Sequence, residues 1–202
     1  MTQPRKEAVD TAVEEEQANA ARRRAMGEFV RGISGFRNVI GESSDFPAEP
    51  GRYHLFVALN CPWCHRVTLA RNLLGLQDSI TMDVAFPNRT GEDDPAEANR
   101  WEFNPARIAT LTGTTLPECT LDTATGRQVR LANEIYAAEG SNEASVPILF
   151  DRKSKRIVTN ESADIVRMLN AQASALGSNL SDQDRPDLYP GGAQNAELRA
   201  DI

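Results

Sequence analysis

Residues 60–66 read Asn-Cys-Pro-Trp-Cys-His-Arg and set two cysteines three positions apart, between a strand pattern and a helix pattern. Upstream, Tyr53 to Leu59 is an apolar, aromatic and β-branched run suited to a buried strand. Downstream, Val67, Leu69, Ala70, Leu73, Leu74 and Leu76 recur at helical spacing, and Pro62 suits the first turn of that helix. A thiol at a helix N-terminus meets unpaired backbone N–H groups and the positive end of the helix dipole, and both favour the thiolate. Cys61 is therefore the expected nucleophile. Cys64, one turn into the helix and more buried, is placed to act as a resolving thiol. A zinc half-site and a pair of inert cysteines are the plainer alternatives. Tetrahedral zinc needs about four ligands, and the sequence offers besides the pair only Cys119, His54 and His65, with no second Cys-x-x-Cys or His pair. No metal is expected, and the redox reading ranks ahead of both alternatives.

The formal charge of −7 counts against nucleic-acid binding as the main task. No stretch approaches the ~20 apolar residues needed to cross a bilayer, and the N-terminus lacks the apolar core of a secretory signal. Three cysteines, two of them in one Cys-x-x-Cys, suit a reducing compartment, so a cytoplasmic protein is expected.

Residues 1 to about 35 are charged and Ala-rich, with apolar positions too sparse for a core helix, which predicts a solvated helical extension. A Gly- and Pro-rich loop, ending at Gly51, leads to the first strand. Beyond the first helix, Gly75 stops the pattern and Ser79–Phe86 reads as a second strand, completing a β-α-β unit. Residues 87–127 carry Trp101, Phe103 and Cys119 and have no clear periodicity. An amphipathic helix follows over Val129–Glu139, stopped by Gly140. A strand over Val146–Phe150, a turn at Asp151–Lys155 and a hairpin partner at Arg156–Thr159 come next. The last clear element is a helix from Glu161 to about Ala171 with Asn160 as its expected cap. The order βαβ, α, ββ, α is α/β and thioredoxin-like. Three segments are expected: an extension over 1–50, a thioredoxin-like domain over 51–172, and a polar linker with the start of a helix over 173–202.

Several stretches together resemble the glutathionyl-hydroquinone reductases, the xi-class, omega-like glutathione transferases. They are Phe36-Arg37-Asn38, Gly51-Arg52-Tyr53-His54-Leu55, Cys61-Pro62-Trp63 with His65-Arg66, Trp101 with Phe103, Val146-Pro147-Ile148-Leu149, and Asn160-Glu161-Ser162 with Ile165-Val166-Arg167-Met168-Leu169. The resemblance spans about residues 36–190. It implies a glutathione S-transferase N-terminal domain, glutathione as co-substrate, and a quinone-type or other small electrophilic conjugate as the second substrate. It also implies that Cys61 takes glutathione off glutathionyl-hydroquinones as a mixed disulfide, which a second glutathione reduces. Val146, ahead of a cis Pro147, would pair with the peptide in β-fashion. Glu161 and Ser162 would meet the γ-glutamyl end at a helix start, and Trp101 would lie against glutathione. For His65 and Arg66 two roles stay open, holding the thiolate and serving the surface or the packing.

Two features depart from the family. Cys64 stands where alanine is usual, which opens a dithiol, glutaredoxin-like route. The helical domain that shapes the hydroquinone pocket and much of the dimer contact is represented only by its first few residues. Hydroquinone turnover is then expected to be weak or absent, a homodimer is expected only where that domain is present, and a non-catalytic thiol-binding remnant is the rival from outside the enzymes.

Overall fold

The apolar run ahead of Cys61 becomes a central strand. In the computed structural model, β1 (Tyr53–Val57) is buried at all five positions, as expected of a strand covered on both faces. The structure describes residues 34–88, 90, 99–114, 124–126, 129–191 and 195–197, together with Arg22 and Met26. Two units divide the chain, Met1–Ser34 and Gly35–Ile202. In the first, the Met26 N–H donates to the Arg22 carbonyl at 3.2 Å. Of the rest of the expected helical extension only Ser34 and Gly35 are described, and they are not helical, while Cys119 and residues 198–202 lie outside the described residues.

In the second unit, β1 pairs in parallel with β2 (Thr81–Val84) and antiparallel with β3 (Ile148–Asp151), which pairs antiparallel with β4 (Arg156–Thr159). The sheet order is β2-β1-β3-β4. The parallel pair is joined through α1 (Pro62–Leu73), because parallel strands need a crossover long enough to carry a helix. Two helices, α2 (Pro105–Thr112) and α3 (Ala132–Ala137), come between β2 and β3, and α4 (Ser162–Gln172) follows β4 and packs on α1. This is the expected thioredoxin-like order with one helix more. Residues 37–38 run beside β4, with the Asn38 N–H on the Val158 carbonyl at 2.9 Å, and so give the sheet edge a partner.

Local chemistry sets the ends of α1. Gly75, at φ 65°, donates to the Asn72 carbonyl while the Leu76 N–H donates to that of Arg71, which closes the helix. A side chain at Gly75 would also press on Leu180 Cγ at 2.7 Å. The other end of β1 is fixed by charge. Arg52 Nε and Nη2 reach the two Asp151 carboxylate oxygens at 2.9 and 2.6 Å, with Asp151 fully buried.

Two elements differ from the sequence reading. The helix expected over Val129–Glu139 starts only at Ala132. Residues ahead of it are extended and pair with 101–103: the Phe103 N–H takes the Arg130 carbonyl at 2.7 Å and the Ala132 N–H that of Trp101 at 3.0 Å. These long-range backbone bonds override the helical periodicity. The helix α2 falls inside the stretch read as irregular; Asn104 caps it by accepting the Arg107 N–H, and Gly113 ends it at φ 72°.

Candidate active site

Cys61 is the N-cap of α1. Its backbone is extended there, its N–H closes a turn onto the Ala58 carbonyl at 3.0 Å, and its own carbonyl accepts the His65 N–H at 2.9 Å. Pro62 takes the first helical position, where its missing N–H costs nothing. The side chain makes no capping bond and no acidic residue lies in the first turn. The positive end of this helix therefore faces the sulfur without a competing carboxylate from its own first turn. Cys61 Sγ lies 3.8 Å from the Val146 carbonyl oxygen, so the thiol form donates there. The Val146–Pro147 bond is cis, as the family resemblance implied.

Cys64 sits one turn inward with no exposed surface, against 7% for Cys61. Burial pushes the Cys64 thiol up, and a hydrogen bond with Cys61 adds to this, while a backbone hydrogen bond with Ala58 acts the other way. Cys64 thus rests protonated beside the nucleophile.

A second helix start converges on this region through α1 itself. Glu161 is the N-cap of α4, its carboxylate accepting the Ala163 N–H at 3.1 Å. Asn160, the expected cap, does not fill that role. Its amide is drawn instead into bonds with Glu143 and the Ser145 hydroxyl, and its carbonyl oxygen accepts the Phe36 N–H at 3.4 Å. The capping position therefore shifts by one residue. Arg66, on α1, reaches across to Ser162 Oγ with Nε at 3.0 Å and Nη2 at 2.5 Å, and Nη2 lies 3.5 Å from Glu161 Oε1. Arg66, expected either to help hold the thiolate or to serve a surface or packing role, lays its guanidinium on Ser162 and Glu161. No sequence signal links position 66 to 161 and 162; only the packing of α1 on α4 does.

Trp101 is buried at 6% exposure in the strand-like pairing with residues 130–132. His65 is exposed. His54 is fully buried, with Nδ1 2.7 Å from Thr81 Oγ1 and Nε2 3.5 Å from Asp83 Oδ2. Burial pushes its imidazole down against the pull of Asp83. Among the described residues no three His, Cys, Asp or Glu side chains are grouped to hold a metal.

The family model for the glutathione S-transferase N-terminal domain matches residues 60–172, from the residue before Cys61 to the end of α4. The chain belongs to this family. Its relatives include the glutathionyl-hydroquinone reductase YqjG of Escherichia coli strain K12, 34% identical over 171 residues that cover 80% of this chain and 47% of that protein. The glutathionyl-hydroquinone reductase PcpF of Sphingobium chlorophenolicum is 32% identical over 87% of this chain and 47% of its own length. Among solved structures, a Xi-class glutathione transferase from Natrialba magadii aligns with a TM-score of 0.63 at 32% identity, covering 83% of this chain and 47% of that one. The glutathione-bound structure of YqjG aligns at 0.57 and 31% identity, covering 81% and 50%. The resemblance read from the sequence and the thioredoxin-like fold are both borne out. The chain spans about half the length of the curated relatives it matches. No helix of the described residues is long and apolar enough to cross a membrane.

Proposed function

We propose that this glutathione S-transferase domain is a glutathione-dependent thiol transferase or reductase of the glutathionyl-hydroquinone reductase kind, with Cys61 as nucleophile. The observation that carries the reading is the placing of Cys61 at an uncapped helix start, 3.8 Å from the carbonyl that precedes a cis proline. In this reading the Cys61 thiolate attacks the glutathione sulfur of a glutathionyl-hydroquinone. The carbon–sulfur bond breaks, the ring carbon takes a proton and hydroquinone leaves. A second glutathione thiolate then attacks the mixed disulfide, which frees Cys61 and forms oxidised glutathione.

The peptide backbone of glutathione pairs with Val146 beside Pro147, and Trp101 covers it. The γ-glutamyl end goes to the start of α4, where the Arg66 guanidinium over Ser162 offers charge to its carboxylate and Glu161 meets its ammonium. Residues 51–172 form the glutathione-binding domain, the protein works in the cytoplasm, and copies pair where the helical half is present. The test is to mix reduced protein with glutathionyl-hydroquinone and glutathione and to follow hydroquinone and oxidised glutathione. Equal release of the two, lost in Cys61→Ser, supports the proposal. Release that survives Cys61→Ser overturns it.

A further inference from the structure

Cys64 is a buried thiol that the monothiol cycle above leaves unused. We propose that Cys64 resolves the Cys61–glutathione disulfide from within, so that the domain also works as a dithiol disulfide reductase on glutathione mixed disulfides. The inference rests on Cys61 accepting glutathione as proposed above and adds a second chemical route at the same site.

The geometry supports it in three ways. First, the N-cap and the third helical residue lie on one side of a helix turn, at a separation compatible with the Cα spacing of ordinary disulfides. The Cys61 side chain is near enough to Cys64 to act on its proton. Second, Cys64 has no exposed surface and Cys61 retains 7%. An external disulfide therefore meets Cys61 first, and Cys64 can reach only the sulfur beside it. Third, the surroundings of Cys64 change with the state of Cys61. The hydrogen bond with Cys61, and the charge on Cys61 wherever it is a thiolate, both act to hold the Cys64 proton. Once Cys61 is tied in a neutral disulfide that charge is gone. The backbone hydrogen bond with Ala58 favours the Cys64 thiolate. Loading Cys61 thus removes part of what keeps Cys64 protonated, at the step where Cys64 must give that proton up.

The step balances. The Cys64 proton passes to the departing glutathione sulfur as the Cys64 sulfur attacks Sγ of Cys61. The bond to glutathione breaks, and glutathione leaves as the thiol. Two protein thiols have been oxidised to one disulfide and one external disulfide has been reduced. Two further glutathione thiols restore the pair and leave as oxidised glutathione.

The experiment is to add oxidised glutathione to the reduced protein, quench with acid at intervals, and read intact mass for wild type, Cys64→Ser, Cys64→Ala and Cys61→Ser. Wild type is expected to lose two hydrogens and keep no glutathione. Both Cys64 variants are expected to hold one glutathione on Cys61, released at least about ten-fold more slowly, because a neighbouring thiol acts at an effective concentration in the millimolar range or above. A wild type that keeps one glutathione as long as Cys64→Ser does would overturn the resolving role and leave the Cys61 reading standing. If neither Cys64 variant takes up glutathione while Cys61→Ser matches them, both readings fall. Circular dichroism on the two Cys64 variants separates a chemical loss from a fold lost at this buried position.

Discussion

The two helix starts that meet in this domain are built in opposite ways. At α1 the capping position is a cysteine without a capping bond, followed by a proline, with no carboxylate in the first turn. At α4 the capping residue is a glutamate that holds the Ala163 N–H, and the serine after it is bridged by Arg66 from the other helix. A helix start closed by its own side chain has used part of its positive end for stability. The α1 start keeps that field for whatever sits on Cys61, while α4 gains order and a guanidinium. The difference separates a place for chemistry from a place for holding the ligand, and Arg66 ties the two together.

The sharpest way to break this division is to remove the reactive group. Cys61→Ser is expected to lower turnover of glutathionyl-hydroquinone by at least about 10³-fold, with the thermal midpoint little changed. A variant that retains activity would mean that the open helix start is not where the chemistry occurs.

The next largest effect lies at the far end of β1, where charge is fully satisfied. Burial acts to raise the Asp151 carboxyl, but hydrogen bonds from Arg52, Ser154 and the Lys153 N–H override it and hold the group below the ordinary carboxylate value. A folded-state value below the unfolded one gives stability that is present above about pH 4 and lost as pH falls through the folded value. Asp151→Asn is therefore expected to cost about 3 kcal/mol at neutral pH, since it removes the buried carboxylate that Arg52 grips with two nitrogens, and to flatten the acid limb of the stability curve. Denaturant unfolding at pH 7 and pH 3 reads both. Glutathione affinity at the opposite end of the strand should move less than two-fold, on the order expected for distant independent sites.

Arg66→Met sharpens the comparison between the helix starts. It removes the guanidinium from Ser162 and Glu161 and is expected to weaken glutathione binding roughly ten-fold, the scale of one charge-assisted hydrogen bond. Calorimetric titration measures it. The smallest effect expected is that of Glu161→Ala on stability, about 1 kcal/mol for a lost cap, read by urea unfolding. Its effect on glutathione affinity should exceed that cost if Glu161 also meets the ligand ammonium.

Much of this arrangement was legible in the sequence because local rules agreed with the tertiary outcome. The strand, the Cys-Pro start and the closing Gly75 all sit within one stretch, and the Arg156–Thr159 partner strand and the α4 pattern are as local. The helix α2 was equally legible in principle, since Asn104-Pro105 and Gly113 are its start and stop, but its short apolar face hid it. What could not be read depends on distant partners. The pairing of residues 129–131 with 101–103 shortens α3, and Glu143, 17 positions away, draws Asn160 off the cap. The reach of Arg66 to Ser162 spans 96 positions. The exchange of roles between Glu161 and Asn160 shows how little separates neighbouring capping residues until a tertiary bond claims one of them.

The most direct test of the division between the two helix starts is a crystal structure of the reduced protein with glutathione. The account predicts the glutathione sulfur at Cys61, its backbone paired with Val146, and its γ-glutamyl carboxylate against Arg66 and the start of α4. Glutathione bound with its γ-glutamyl end at α1, or bound away from both helix starts, would contradict it.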